Sequence, residues 1–148
     1  MKKLLLILLF FAASSIYSLQ AQTSHYVDPR LNQVFEQEYF SYLQTNAPQE
    51  LIFLNWYLDN SYVIKEVGLE KCQNLPYLKY FDRTTKTVGN NVEDIDMGDL
   101  ANFNVFLYDV SDGNNTSSYR IGDSGKVLIM LSNKMITEQF NNYISHEN

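Results

Sequence analysis

Two short segments near the carboxyl end of the chain, Ser118 to Ile121 and Val127 to Leu131, are separated only by Gly122-Asp123-Ser124-Gly125. Glycine adopts the positive φ angles that a tight reversal requires, so this spacing predicts two antiparallel strands joined by a turn. Phe103 to Val110 reads as a further strand with apolar residues on both faces. The three segments predict an antiparallel meander, which restricts the chain to folds built on an antiparallel sheet.

Helix signals precede these strands. Asp28-Pro29 supplies an N-cap acceptor followed by proline at the first helical position, and apolar residues recur at three- and four-residue steps until about Thr45. Asn46 and Gln49 then form a capping-box pattern. This pattern predicts a second, largely apolar helix that ends at Asp59-Asn60 and lies at the centre of the core.

Ser61 to Val67 is rich in β-branched and aromatic residues, which predicts another strand, closed by Gly68. Residues 68–102 carry no clear signal apart from a short strand expected near Tyr77 to Phe81. Ser132 or Asn133 can cap a last helix, which places its apolar residues on one face. The predicted fold is α+β, with two N-terminal helices and a C-terminal helix packed on an antiparallel sheet of about four strands.

The amino terminus has the pattern of a secretory signal. Met1-Lys2-Lys3 precedes an apolar run of ten residues, which fits a signal-peptide core and is too short to cross a membrane. The end of this segment, Leu19-Gln20-Ala21-Gln22, resembles the ends of bacterial export signals. We therefore expect residues 1–21 to be removed and residues 22–148 to form one soluble domain in the periplasm or outside the cell. The mature form is expected to have no stable membrane anchor, because no cysteine follows the expected cut.

Charge and cysteine content exclude several classes of function. The formal net charge is −6 and the pI is near 4.8, which argues against a nucleic-acid surface. Cys72 is the single cysteine, so a disulfide-stapled scaffold and a multi-thiolate zinc site are excluded. We expect its thiol to be buried as a small apolar group. No cofactor is predicted.

The turn sequence Gly122-Asp123-Ser124-Gly125 resembles the segment around the nucleophile of chymotrypsin-like proteases. That resemblance implies a serine nucleophile with a histidine beside it as the base. The two histidines, His25 and His146, both lie close to the ends of the expected mature chain. The sequence therefore favours a hairpin turn here, and no catalytic residue is predicted.

Two acidic clusters contain the oxygen ligands that calcium prefers. They span residues 93–99 and 109–115, and neither matches an EF-hand frame, because Ile95 or Tyr108 would occupy a ligand position. Solvated loops are the simpler interpretation of both clusters. Weak candidates for a non-standard metal site are Asp94, Asp96, Asp99, Asp109 and Asp112.

Tyrosine is abundant, with 11 residues beside 9 phenylalanines. Tyrosine is a frequent interface anchor because it combines a large apolar area with a polar tip. The residues expected to contribute to an interaction surface are Tyr77, Tyr80, Tyr108 and Tyr119.

These observations predict a non-catalytic binding or interaction module of the envelope or the secreted fraction, with a protein or a glycan as its partner. Two alternatives stay open. One is a small-ligand pocket protein. The other is a hydrolase that uses a pair of carboxylates, with candidates at Glu50, Asp59, Glu66 and Asp109.

Overall fold

In the computed structural model, which describes residues 26–111 and 113–146, helices and antiparallel strands form an α+β fold. The expected signal segment, His25 and Asp112 lie outside the described residues. The helices are α1 (Gln37–Asn46), α2 (Pro48–Asn60), α3 (Leu69–Cys72) and α4 (Asn133–His146). The strands are β1 (Tyr62–Glu66), β2 (Lys79–Asp82), β3 (Thr87–Asn91), β4 (Ser117–Ile121) and β5 (Lys126–Met130). Short 3-10 helices span Pro29–Gln33, Met97–Asn102 and Val105–Leu107.

The first helical segment is divided, whereas the sequence pattern predicted one helix to Thr45. Asp28 caps as expected, because its side chain accepts a hydrogen bond from the Arg30 backbone, but the helix that it starts ends at Gln33. A continuous helix would place Leu31 and Phe40 about 180° apart around its axis. The break before α1 brings both side chains into one buried cluster with Leu43.

Helix α2 ends at Asn60 as predicted, but the predicted capping box is wrong. The Asn46 side chain donates to the Tyr42 carbonyl inside α1, and Ala47 takes the cap position without a side-chain bond. On α2, Leu51 packs in the cluster shared with α1, whereas Trp56 belongs to the main core below the sheet. The helix therefore separates two apolar clusters.

The main sheet has the order β1-β5-β4, and both pairings are antiparallel. The β4–β5 hairpin was predicted, but the strand predicted over Phe103 to Val110 is wrong. Asn104 prevents an extended course there: its buried side chain accepts from the Phe106 backbone and donates to the Arg30 carbonyl at 2.7 Å. The chain turns into a 3-10 helix, and the edge of β4 away from β5 is met instead by Tyr77, which forms a parallel bridge with Arg120.

A second sheet, the hairpin β2–β3, forms within residues 68–102, so the described strands lie in two sheets rather than one of about four strands. Its pairing is irregular between Lys79 and Phe81. Two backbone hydrogen bonds attach the hairpin to the main sheet. The Leu78 N–H donates to the Arg120 carbonyl, and the Arg120 backbone N–H donates to the Pro76 carbonyl, both at 2.8 Å.

Helix α4 begins at Asn133, and of the two predicted capping residues it is Ser132 whose hydroxyl accepts a 3.3 Å bond from the Met135 backbone. Phe140 packs α4 against the core, and the centroid of its ring lies 5.3 Å from that of the Trp56 ring. Within the described ranges, no helix is both long enough and apolar enough to cross a membrane. Cys72 is fully buried, as expected.

Candidate functional site

Asp94 lines three adjoining open depressions of the described surface, which together form one groove. The first, of about 780 Å³, lies between Tyr77, the end of β3 and the turn after β4. The second, of about 630 Å³, includes Tyr80, and the third, of about 210 Å³, reaches Tyr108. We call this surface the hairpin groove, and its defining residues are Tyr77, Tyr80, Asn90, Asn91, Glu93, Asp94, Tyr108 and Asp123.

The turn that forms one wall of the groove depends on glycine. Gly122 has a φ of +48°, and Gly125 has a φ of +73°, as the sequence predicted for a tight reversal. A Cβ atom placed on Gly122 would lie only 2.0 Å from the Glu93 carbonyl oxygen. The two backbones therefore approach each other more closely than any side chain at position 122 would permit.

Arg120 holds the components of this wall together. Its buried guanidinium donates to the carbonyls of Gln73 at 2.9 Å and Gly122 at 3.2 Å, and it forms an ion pair with Asp123. Its Cζ atom also lies 4.2 Å from the centroid of the Tyr77 ring. One cation thus fixes an aromatic ring and a carboxylate that line the same depression.

The groove's tyrosines lie at the start of the β2–β3 hairpin. Tyr77 precedes β2 and forms an isolated bridge with Arg120, whereas Tyr80 lies within β2. The two side chains line adjoining depressions. The Tyr80 ring contacts that of Tyr108 at 5.5 Å between centroids, and burial raises the pKa of Tyr108 to about 12.

The groove carries more negative than positive charge. Lys126 donates to Asp94 and to the Ile95 carbonyl, each at 2.7 Å, and its bond to Asp94 holds the pKa of that carboxyl below its usual range. Arg120 is engaged with Asp123. Both cations at the groove are therefore paired, whereas Glu93, Asp96 and Asp99 have no ion-pair partner among the described residues.

Ser124 is held as a turn residue. Its hydroxyl donates to the Ile121 carbonyl at 2.6 Å and accepts from the Lys126 backbone at 3.3 Å. Residues 122–125 form the turn between β4 and β5 that the sequence favoured. His146 is the last residue of α4. The resemblance to the protease motif is therefore explained by the requirements of the turn.

The weak metal candidates are only partly brought together. Asp94, Asp96 and Asp99 line the smallest depression, but Asp96 accepts from the Gly98 backbone at 2.8 Å and Asp99 accepts from Asn102 at 2.6 Å. Asp109 lies outside the groove. Over residues 26–111 and 113–146, no group of three or more His, Cys, Asp or Glu side chains is placed to hold a metal ion.

Three of the four predicted interaction tyrosines lie in the groove, and the fourth does not. The Tyr119 hydroxyl accepts a 2.9 Å bond from the Ser111 backbone, away from the depressions. The proposed catalytic acids are dispersed as well: Glu50 accepts from Tyr39, and Asp59 pairs with Arg30. None of the four proposed acids lines the described depressions.

Among the groove's other polar residues, the sequence identified Asp94, as a candidate metal ligand, and missed Asn90, Asn91 and Asp123. Asn90 and Asn91 have a turn-like composition, and Asp123 belongs to the reversal, so none of the three suggested a site. Comparison of the chain with protein-family models, with characterised proteins and with solved structures finds no significant match. The function of the chain therefore has to be inferred from the hairpin groove. Its aromatic rings, amides and carboxylates surround an open space, which suits a polar ligand.

Proposed function

We propose that the protein is an exported, non-catalytic binding module that holds a polar ligand in the hairpin groove. The observation that carries this proposal is the fixed pairing of Tyr77 with Arg120 beside the Asp123 carboxylate. A ring and a carboxylate that are already held in place lose little conformational freedom on binding. Asn90 and Asn91 add amide donors and acceptors at the same depression.

The acids of the groove are poorly arranged for hydrolysis. A general acid at neutral pH needs a raised pKa, whereas the ion pair with Lys126 lowers the pKa of Asp94. Asp123 is committed to Arg120, and the Ser124 hydroxyl donates to a carbonyl. These contacts support binding over the alternative of a carboxylate-pair hydrolase, for which Glu93 and Asp123 would be the pair to test.

The proposal of export rests on the signal-like sequence of residues 1–21. The expected result is that the chain, expressed with its leader, is recovered outside the cytoplasm with Gln22 as its first residue. Mass spectrometry of the fractionated cells measures this directly. A full-length chain in the cytoplasmic fraction would contradict the export proposal and leave the binding proposal unaffected.

The binding proposal is tested by mapping contacts on the mature chain. Fractions of envelope polysaccharide and of envelope protein are titrated into isotopically labelled protein, and backbone chemical shifts are followed. Shifts concentrated at residues 90–94 and 122–124 are expected. A response confined to the exposed Tyr42 on α1 would contradict the proposal. So would hydrolysis of an ester, peptide or glycoside that Glu93→Gln abolishes.

A further inference from the structure

The hairpin groove extends over adjoining depressions and has an aromatic side chain in each of the two larger ones. Tyr77 and Tyr80 line adjoining depressions that share Asn90, Asn91 and Glu93. The tyrosines are 36% and 47% exposed. Because each ring lines a different depression, a ligand that spans both depressions would meet both rings.

Each ring is supported on the protein side. Tyr77 lies against the Arg120 guanidinium, and Tyr80 lies against the Tyr108 ring. The supported rings leave apolar area exposed beside amide and carboxylate groups. A pyranose ring matches this arrangement, because it presents C–H groups on its faces and hydroxyls around its edge.

The negative charge of the groove disfavours anionic ligands. Arg120 and Lys126 are already bonded to Asp123 and Asp94, so Glu93 adds uncompensated negative charge. An anionic chain would be repelled here, and the protein as a whole has a formal charge of −6. An uncharged ligand avoids this repulsion.

The side chains of Asn90 and Asn91 offer amide donors and acceptors at the wall of the groove. The Val92 N–H, in the first depression, already donates to the Leu78 carbonyl at 2.9 Å. A ligand rich in hydroxyls uses the two amides, whereas an extended peptide gains much of its affinity from free backbone groups at a sheet edge. Among the described strands β3 pairs only with β2, so a peptide at its other edge is the competing outcome that the titration with envelope protein detects.

We infer that the hairpin groove binds a neutral oligosaccharide, with one sugar on Tyr77 and another on Tyr80. This inference rests on the proposed function and adds the class of the ligand. Stacking supplies affinity along the chain of sugars, and the amides and carboxylates fix its orientation.

The experiment is a calorimetric titration of the mature protein with neutral gluco-, xylo-, manno- and chito-oligosaccharides of increasing length, and with a uronate oligomer as the charged probe. Within one series, affinity is expected to rise about tenfold once the ligand is long enough to reach both rings. Tyr80→Ala is expected to remove this dependence on length. Tyr77→Phe keeps the ring and is expected to keep the binding.

Tyr77→Ala is expected to lower the affinity about tenfold. Tyr42→Ala, which removes an exposed tyrosine of α1 outside the groove, serves as the matched control and is expected to leave affinity unchanged. Circular dichroism of each variant establishes that it is folded. Equal affinity for all lengths, or unchanged binding in both Tyr77→Ala and Tyr80→Ala, would overturn the inference.

Two further outcomes separate the inference from the proposed function. If every sugar fails while an envelope protein shifts the resonances of the groove, the ligand class is wrong and the binding module stands. If neither sugars nor proteins shift those resonances, both proposals fail. Tighter binding of the uronate oligomer than of the neutral series would refute the charge argument and with it the inference.

Discussion

The Cζ atom of Arg120 lies 4.2 Å from the centroid of the Tyr77 ring, so a buried cation supports an aromatic side chain of the groove. The same guanidinium bonds Asp123 and two backbone carbonyls. Arg120 is therefore a positioning residue, and it links the geometry of the groove to the stability of the fold.

Replacing Arg120 by lysine is expected to lower the free energy of unfolding by about 2 kcal/mol. Lysine keeps the charge, but it lacks the planar fork that serves several acceptors at once. Urea denaturation measures the change. Lys134→Ala is the control, because the exposed Lys134–Glu138 pair, at 3.8 Å, contributes little. Equal midpoints for Arg120→Lys and the native chain would contradict the role of Arg120.

Gly122→Ala is expected to cost about 3 kcal/mol or to prevent folding. The new methyl group would collide with the Glu93 carbonyl and would also sit at a positive φ. Gly113→Ala provides the comparison, since its Cβ would approach nothing closer than 3.8 Å. Thermal unfolding of the two variants should differ clearly, and similar midpoints would show that the backbones separate easily.

Asp28→Asn is expected to reduce stability at neutral pH and to flatten the decline of stability in acid. Hydrogen bonds from the Arg30 side chain hold the pKa of Asp28 below its unfolded value. This carboxylate therefore contributes stability above its unfolded pKa, and the contribution is lost as pH falls through the folded pKa. Denaturation at a series of acidic pH values measures the effect. An acid profile of Asp28→Asn that matches that of the native chain would contradict this role of Asp28.

Alkaline conditions are expected to destabilise the fold through two tyrosines. Burial raises the pKa of Tyr62 and of Tyr108 to about 12. Their folded pKa values exceed the unfolded value near 10, so their contribution is complete below about pH 10 and disappears as pH rises through about 12. In the double variant Tyr62→Phe/Tyr108→Phe, the last part of the tyrosinate absorbance titration should shrink. The part that stays belongs to Tyr39, because its hydrogen bond to Glu50 raises the pKa of Tyr39 to about 12 as well. An unchanged titration would contradict the assignment.

The sequence predicted those elements whose signals are local. The reversal between β4 and β5 depends on Gly122 and Gly125, and the amino-terminal cap depends on Asp28 and its immediate neighbours. Residues Phe103 to Val110 misled the prediction because their course is set by Asn104, whose side chain bonds a carbonyl far away in the chain. The β2–β3 hairpin was largely missed because β3 is exposed throughout, so it lacks the alternation that marks a half-buried strand.

The sequence predicted the aromatic part of the site, because abundant tyrosine is a distinctive feature of its composition. Tyr77, Tyr80 and Tyr108 were identified as exposed aromatic candidates, but Tyr119 was not distinguishable from them by composition. The contributions of Glu93 and Asp123 depend on the approach of two backbones at Gly122. Such an approach joins segments distant in sequence, and no local pattern encodes it.

The contact between Gly122 and Glu93 also provides a way to recognise distant homologues. A homologue that keeps this groove has to retain a residue without a side chain at the equivalent of Gly122, whatever happens to the rest of its sequence. It should also retain the spacing of Arg120, Gly122 and Asp123, together with the pair Tyr77 and Tyr80 ahead of the hairpin. This sparse signature offers a search criterion where overall similarity has faded.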